Sequence, residues 1–191
     1  MKILLLTGPG GDAQGWGDMK VTESVRQACE SLGHPTRVAY VDDEAGFFRL
    51  VDRPDFDIAW SALYHITPNE AFIGRNAEGL WVADVFDERG IPYIGSDSRT
   101  MKAMIDKFRT HEILAAAGVA VPAHVLLRSG DDASAVAYPA FVKPICESRS
   151  VGISDESVVH DEAELRRRIA FVEKEFDEPA LVEEFLPGDE Y

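Results

Sequence analysis

The stretch whose reading decides the fold is Tyr138-Pro-Ala-Phe-Val-Lys-Pro-Ile-Cys-Glu-Ser-Arg-Ser-Val-Gly152 (YPAFVKPICESRSVG). Ala140, Phe141 and Val142 make an apolar strand that ends on Lys143, and Pro144 stops it. A loop of small residues follows and closes on Gly152. A lysine at the end of such a strand has two readings. It blocks a sheet edge, where Lys and Pro discourage further pairing, or it meets a phosphate. Taken alone, the stretch favours the blocker. Two other stretches reverse that balance.

The 191-residue chain is long for one domain and short for two full ones, and its 46% apolar content suffices for a sizeable core. Its 19 Lys+Arg stand against 34 Asp+Glu, a net charge of −15. Nucleic acid or an anionic membrane as partner needs a positive footprint, so both are excluded as expectations. A nucleotide needs only one or two local cations. Met1-Lys2 runs directly into an apolar stretch and then glycines, which reads as a first strand rather than a signal peptide. No apolar run approaches the ~20 residues of a membrane span. Cys29 and Cys146 fit a reducing compartment, so the expected location is cytoplasmic, with Cys29 a buried thiol on a helical face.

Upstream of the opening stretch, residues 3–6 (ILLL) form the continuous apolar run of a strand buried on both faces. The run opens into Gly8-Pro-Gly-Gly-Asp-Ala-Gln-Gly-Trp-Gly17. Asp18 caps the next helix, whose apolar face is Val21, Val25, Ala28, Cys29 and Leu32, and Gly33 stops it. Strands are expected over 37–41, 57–63 and 91–94, with a helix over 78–88 that turns Leu80, Ala83 and Phe86 inward. This alternation predicts an α/β domain with a parallel sheet over residues 1–96. Gly95-Ser-Asp-Ser98 is the break. A small α+β unit with antiparallel strands is expected over 97–191. It starts with a helix capped by Ser98, with Met101, Met104 and Ile105 on one face. A phase slip then lets Asp106 cap a second helix that Gly118 closes. A strand before residue 128 precedes the opening stretch, and a short strand over 157–159 follows it. Asp161 and Glu164 box the start of a helix with Leu165, Ile169, Val172 and Phe176 inward, and a last strand covers 180–185.

Several local patterns carry chemistry, each beside a plainer reading. Gly8-Pro-Gly-Gly-Asp-Ala13 is formally the dinucleotide fingerprint G-x-G-x-x-A. Here residues 14–17 separate its glycines from the helix start, and Pro9 removes a donor. A loop shaped to clear the end of the sheet is the plainer account, and contact with a small substrate is the third. Five histidines and two distant cysteines show no metal spacing, and no serine sits in a nucleophile elbow. Trp16, Trp60 and Trp81 read as packing. Lys107 follows Asp106 at a helix junction, where helix amides and an ammonium can face one anion; alone it reads as a solvated lysine. The small residues before Gly152 let backbone amides approach phosphate oxygens. Leu181-Val-Glu-Glu-Phe-Leu-Pro-Gly-Asp-Glu190 is a strand running into acids. Its free backbone groups can meet an adenine ring and its later carboxylate a ribose, or it is a solvated strand end.

Ile91-Pro-Tyr-Ile-Gly-Ser-Asp97, Ile105-Asp-Lys107, Leu114-Ala-Ala-Ala-Gly-Val-Ala-Val-Pro122, Tyr138-Pro-Ala-Phe-Val-Lys-Pro144 and Leu181-Val-Glu-Glu-Phe-Leu-Pro-Gly188, in that order, resemble the ATP-grasp ligases of the D-alanine–D-alanine ligase-like branch. The likeness is in register over 91–191 and weaker before. It implies a Rossmann-like preATP-grasp domain over 1–96 and the first ATP-grasp subdomain, a small α+β lid, over 97–191. It implies that Lys107 and Lys143 hold ATP phosphates and that Glu147, Ser148, Arg149, Ser150 and Gly152 close over them. Glu183, Glu184, Phe185 and Leu186 would meet adenine, and Glu190 ribose. ATP and Mg²⁺ are the implied cofactors, a small-molecule carboxylate and an amine the implied substrates, and a homodimer is compatible with the family. The chemistry implied is amide formation through an acylphosphate.

Three departures accompany the likeness. Ser148 and Arg149 stand where the family's loop is richer in glycine and serine. The serine–glutamate and His-Gly/Glu-Asp-Gly patterns that hold D-alanine are absent. The family's magnesium ligands and γ-phosphate arginine fall beyond the equivalent of Tyr191, so no catalytic residue or metal ligand is assigned, and this chain alone is expected to be inactive. The alternatives are a naturally short, non-catalytic nucleotide- or partner-binding protein, and a Rossmann-type dinucleotide binder using residues 8–13.

Overall fold

The computed structural model describes residues 1–15, 18–66 and 79–188, and the chain divides into two compact units, Met1–Lys102 and Ala103–Tyr191. The first unit holds β1 (Ile3–Thr7), α1 (Gly11–Gln14), α2 (Met19–Ser31), β2 (Thr36–Tyr40), α3 (Glu44–Val51), β3 (Ile58–Ser61), β4 (His65–Ile66), β5 (Leu80–Trp81), α4 (Val82–Arg89) and β6 (Tyr93–Ile94). Four strands form a parallel sheet in the order β2-β1-β3-β6. β1 is central, with Ile3 paired to Thr36 on one side and Ile58 on the other, and Leu4, Leu5 and Leu6 have no exposed surface. A strand covered on both faces has no polar side to show, which is why its sequence is an unbroken apolar run. Phe47 and Val51 of α3 and Val85 and Phe86 of α4 complete this core with Leu4 and Leu6.

Several expectations are corrected. The glycine loop is not helix-free to Gly17, because α1 turns once within it, capped by Gly10 at φ 75°. Gly8 and Gly15 are there for close packing. A Cβ on Gly8 would strike the Val41 carbonyl oxygen and stand 3.2 Å from Leu63 Cδ1; one on Gly15 would strike the Ala62 carbonyl oxygen and stand 2.8 Å from its Cα. The buried Gln14 side chain receives the Tyr64 and His65 amides at 2.7 and 3.0 Å. In α2 Asp18 does cap, accepting from Lys20 and Val21 at 2.9 and 3.0 Å. The inward stripe is Thr22, Val25 and Cys29, however, and Val21, Ala28 and Leu32 are exposed. Thr22 takes the most buried position because its hydroxyl bonds back to the Asp18 carbonyl at 3.1 Å. Cys29 is half-buried. Leu80 lies in β5, paired antiparallel to Ile66 of β4, rather than in a helix. Trp16 and Glu78 lie outside the described residues.

α5 (Ser98–Ile105) runs across the division between the units. Asp97 caps it, accepting from Thr100 N at 2.7 Å; the expected cap, Ser98, instead donates to Asp84. Met104 is exposed. Beyond it come α6 (Lys107–Ala116), β7 (His124–Leu127), β8 (Ala140–Pro144), β9 (Val158–Val159), α7 (Glu162–Phe176) and β10 (Ala180–Glu184). Asp106 Oδ1 accepts from Arg109 N at 2.9 Å, so a new helix starts where the apolar phase slips. The sheet is antiparallel in the order β7-β10-β8-β9. Alternation along β8 sends Ala140, Val142 and Pro144 to the side that α7 covers with Leu165, Ile169, Val172 and Phe176, all buried. Phe141 and Lys143 face the other way. The Asp161/Glu164 box forms with one change: Glu164 reaches back to His160 N, one residue before the cap, at 2.8 Å. Among the described residues no helix is long and apolar enough to cross a membrane.

Candidate functional site

Strand register builds the site in the second unit. Lys143 lies opposite Leu181, and Glu183 lies opposite Phe141 on one side and His124 on the other, so these side chains share the face away from α7. Lys143 Nζ sits 2.6 Å from Glu183 Oε2, with 18% and 8% of the side chains exposed. The second Glu183 oxygen is buried without a hydrogen-bond partner among the described residues. His111 of α6 holds Nε2 at 3.5 Å from that oxygen. The His111 ring stands edge-on to His124 at 4.7 Å between centroids, and His124 is fixed by the Pro122 carbonyl at 2.9 Å and Glu112 at 3.2 Å.

Burial holds the pKa of His111 below its ordinary 6.5, against the opposing pull of Glu183. A histidine depressed in the folded state adds stability that is present above the unfolded pKa and lost as pH falls through the folded one. The urea midpoint is therefore expected to fall on acidification below about pH 6.5, and to fall less in His111→Gln, when the two proteins are compared at pH 7.5 and pH 5. Equal losses would show that His111 does not set the slope.

Lys107 Nζ donates to the carbonyls of Pro144 and Ile145 at 3.3 and 3.0 Å and to that of Glu147. Burial pushes its pKa down, and the Lys143 charge adds to that. From the other direction, Glu178 Oε1 receives the Ile145 and Cys146 amides at 2.5 and 3.3 Å. One lysine and one glutamate thus pin the backbone leaving β8 through its carbonyls and its amides. Glu178→Ala strands two amides and is expected to lower stability by about 1–3 kcal/mol. Burial already raises the Glu178 pKa, so Glu178→Gln, which keeps an acceptor, should cost less. A denaturant series on the two variants checks the order. Burial, then Glu178, pushes the Cys146 thiol up to about 12, which disfavours the thiolate.

Beyond the pinned segment Glu147 is buried, Ser148 half-buried, and Arg149 and Ser150 exposed. Arg149 and Ser150 take φ 54° and 59°, and Val151 N bonds the Ser148 carbonyl at 3.0 Å, the pattern of a type I′ turn. Gly152 follows at φ 78°, its carbonyl bonded by the buried Arg168, which also reaches Ser157 Oγ at 2.9 Å. Glu184 and Leu186 are exposed and Phe185 half-buried after the last strand; Glu190 lies outside the described residues.

The second unit thus brings Lys107, Lys143, Glu183 and the start of the loop together around the end of β8. Both ammonium groups are held by protein oxygens, so an anion there would compete with Glu183 and the loop carbonyls. Among the described residues no group of three or more His, Cys, Asp or Glu side chains is placed to hold a metal ion. Sequence reasoning missed His111, His124, Glu178 and Arg168. Their contacts join distant segments, and only the apolar period of α7, broken inward by Arg168, carried a local signal.

No family model matches the chain. A D-alanine–D-alanine ligase from Syntrophotalea carbinolica is 30% identical over 193 residues, covering 99% of this chain and 57% of the relative. The crystal structure of the D-alanine–D-alanine ligase from Bacillus anthracis complexed with ATP matches with a TM-score of 0.63 at 19% identity, over 98% of this chain and 57% of that one. An L-amino acid ligase from Bacillus licheniformis matches at 0.63 and 17% identity, over 98% and 45%. At such identities these structures speak for the fold. The chain spans about half the length of the curated relatives it matches. Sequence and fold agree on one likeness: the chain is similar to D-alanine–D-alanine ligases over about half of their length.

Proposed function

We propose that this chain supplies part of the ATP site of an enzyme that joins a small-molecule carboxylate to an amine. On this reading Met1–Lys102 is the preATP-grasp domain and Ala103–Tyr191 the first ATP-grasp subdomain. Bound ATP supplies the phosphoryl group that activates the carboxylate, with Mg²⁺ as the family's accompanying ion. The residues of this chain bind and orient. Lys143 exchanges Glu183 for phosphate oxygens, Lys107 holds the loop and adds positive charge, and the amides of 147–152 close over the anion. The observation that carries the reading is the Glu183 carboxylate, which has one oxygen on Lys143 and the other buried without a hydrogen-bond partner among the described residues. A buried acceptor left over is costly, and the amino group of adenine is the donor it suits. Each charge-assisted contact made is worth about 1.5–3 kcal/mol. The acidic net charge keeps nucleic acid out of the account.

The test is a titration of ATP into this chain, with and without Mg²⁺, followed through backbone amide signals. Saturable shifts are expected from Lys143 to Gly152 and from Glu183 to Leu186. Shifts confined to residues 8–15 on adding NAD would favour a dinucleotide site. No saturable shift with ATP at the second-unit residues would remove the proposal.

A further inference from the structure

A small aromatic pocket opens in the first unit at the carboxyl ends of β3 and β6, neighbouring strands of the parallel sheet. Open parallel sheets place their ligands outside these strand ends. Trp60, Tyr64, Trp81, Phe86, Tyr93 and Met101 are among its lining residues. The walls are set by packing. Phe86 and Trp81 are 1% and 5% exposed, and the Phe86 and Tyr93 rings lie 5.5 Å apart. The volume is about 140 Å³, close to the ~150 Å³ of an apolar cavity that admits benzene. A methyl group would leave most of that space unfilled, whereas a phenyl or branched butyl group would occupy it.

Polar groups in the pocket are few. The Ser61 hydroxyl is spent on Leu63, donating to its carbonyl at 2.7 Å and accepting from its amide at 3.0 Å. Tyr64 remains a neutral donor, because burial pushes its phenol up. Charge stands next to the aromatic wall: Lys102 Nζ lies 5.0 Å from the Trp81 ring centroid and 2.7 Å from Asp84 Oδ2. An apolar seat of one-ring size beside a pair of opposite charges suits an amino acid with a large apolar side chain.

We propose that this pocket seats the side chain of an amino-acid substrate of phenylalanine or leucine size. The proposal rests on the ligase reading for the word substrate; the pocket and its selectivity stand apart from the nucleotide. The test uses the unmodified chain and follows the indole N–H signals of Trp60 and Trp81. Phenylalanine, leucine and alanine, each as both stereoisomers, are added separately. At least one stereoisomer of phenylalanine or leucine is expected to shift both signals saturably and at least about 10-fold more tightly than alanine, since a filled apolar pocket discriminates by roughly 10–200-fold. Ala83→Leu, which fills the pocket from α4, should remove those shifts and leave the ATP-induced shifts at Lys143 unchanged. Equal response to alanine, leucine and phenylalanine, or no response at Trp60 and Trp81 while ATP still shifts Lys143, overturns the pocket alone. Amino-acid shifts without any ATP response overturn the ligase reading alone. The size series needs no variant, so it decides even if Ala83→Leu fails to fold.

Discussion

Lys143→Ala is expected to lose about 2–4 kcal/mol of stability, just under the range for breaking a buried ion pair because Lys143 keeps some exposure. ATP affinity should fall about 10- to 100-fold with it, the loss of one charge-assisted phosphate contact. The stability loss has a specific origin. Removing the ammonium leaves Glu183 as a nearly buried carboxylate whose remaining neighbour, His111, is held towards its neutral form by burial. The companion variant separates the two effects. Lys143→Met with Glu183→Leu takes both charges out of the interior, and apolar replacement of a buried pair is often neutral or stabilising. It should regain most of the stability and none of the ATP affinity. Denaturant unfolding and ATP titration on the same three proteins check this. If Lys143→Ala titrates like the parent, the lysine serves only its ion pair with Glu183; the edge-blocker reading its sequence first suggested does not apply, because β8 lies between β10 and β9.

What was legible in the sequence was local. Asp18, Asp106 and Asp161 cap helices because a carboxylate two or three residues ahead of orphan amides needs no tertiary partner. The unbroken apolar run of β1 announced a sheet buried on both faces, and Lys143-Pro144 marked where the apolar strand β8 ends. The lysines and the loop were legible as a motif, while their present partners were not. Glu178 reaches the amides of Ile145 and Cys146 across 33 and 32 residues, and nothing near Glu178 marks it. Short elements also escaped. α3 is eight residues beginning on an acidic pair, and β4 and β5 are two residues each, too short to show a period. The face of α2 was misjudged because hydrophobicity ranks Val21 above Thr22. A threonine that satisfies its own hydroxyl on the preceding turn can be buried at little cost.

Gly152→Ala is expected to cost about 2–4 kcal/mol, the sum of a left-handed backbone and an overpacked contact. At φ 78° an alanine is strained whatever the space around it, and here there is no space. The new Cβ would lie 2.6 Å from Pro144 Cγ and 2.7 Å from Phe176 Cζ. Neither can yield easily: the proline ring has no rotamer to change, and Phe176 is the buried end of the α7 stripe. The backbone cannot retreat either, because the Gly152 carbonyl is held by Arg168, itself buried and tied to Ser157. Strain at this glycine therefore passes to Pro144 at the exit of β8, whose carbonyl, with those of Ile145 and Glu147, receives the Lys107 ammonium. Ser150→Gly in the same loop is the control. Its φ of 59° gives back about what the added chain entropy costs, so stability should change by less than about 0.5 kcal/mol. A urea series that finds Gly152→Ala as mild as Ser150→Gly would mean that the loop moves freely over β8. The two pinned ends would then not be what shapes the anion site.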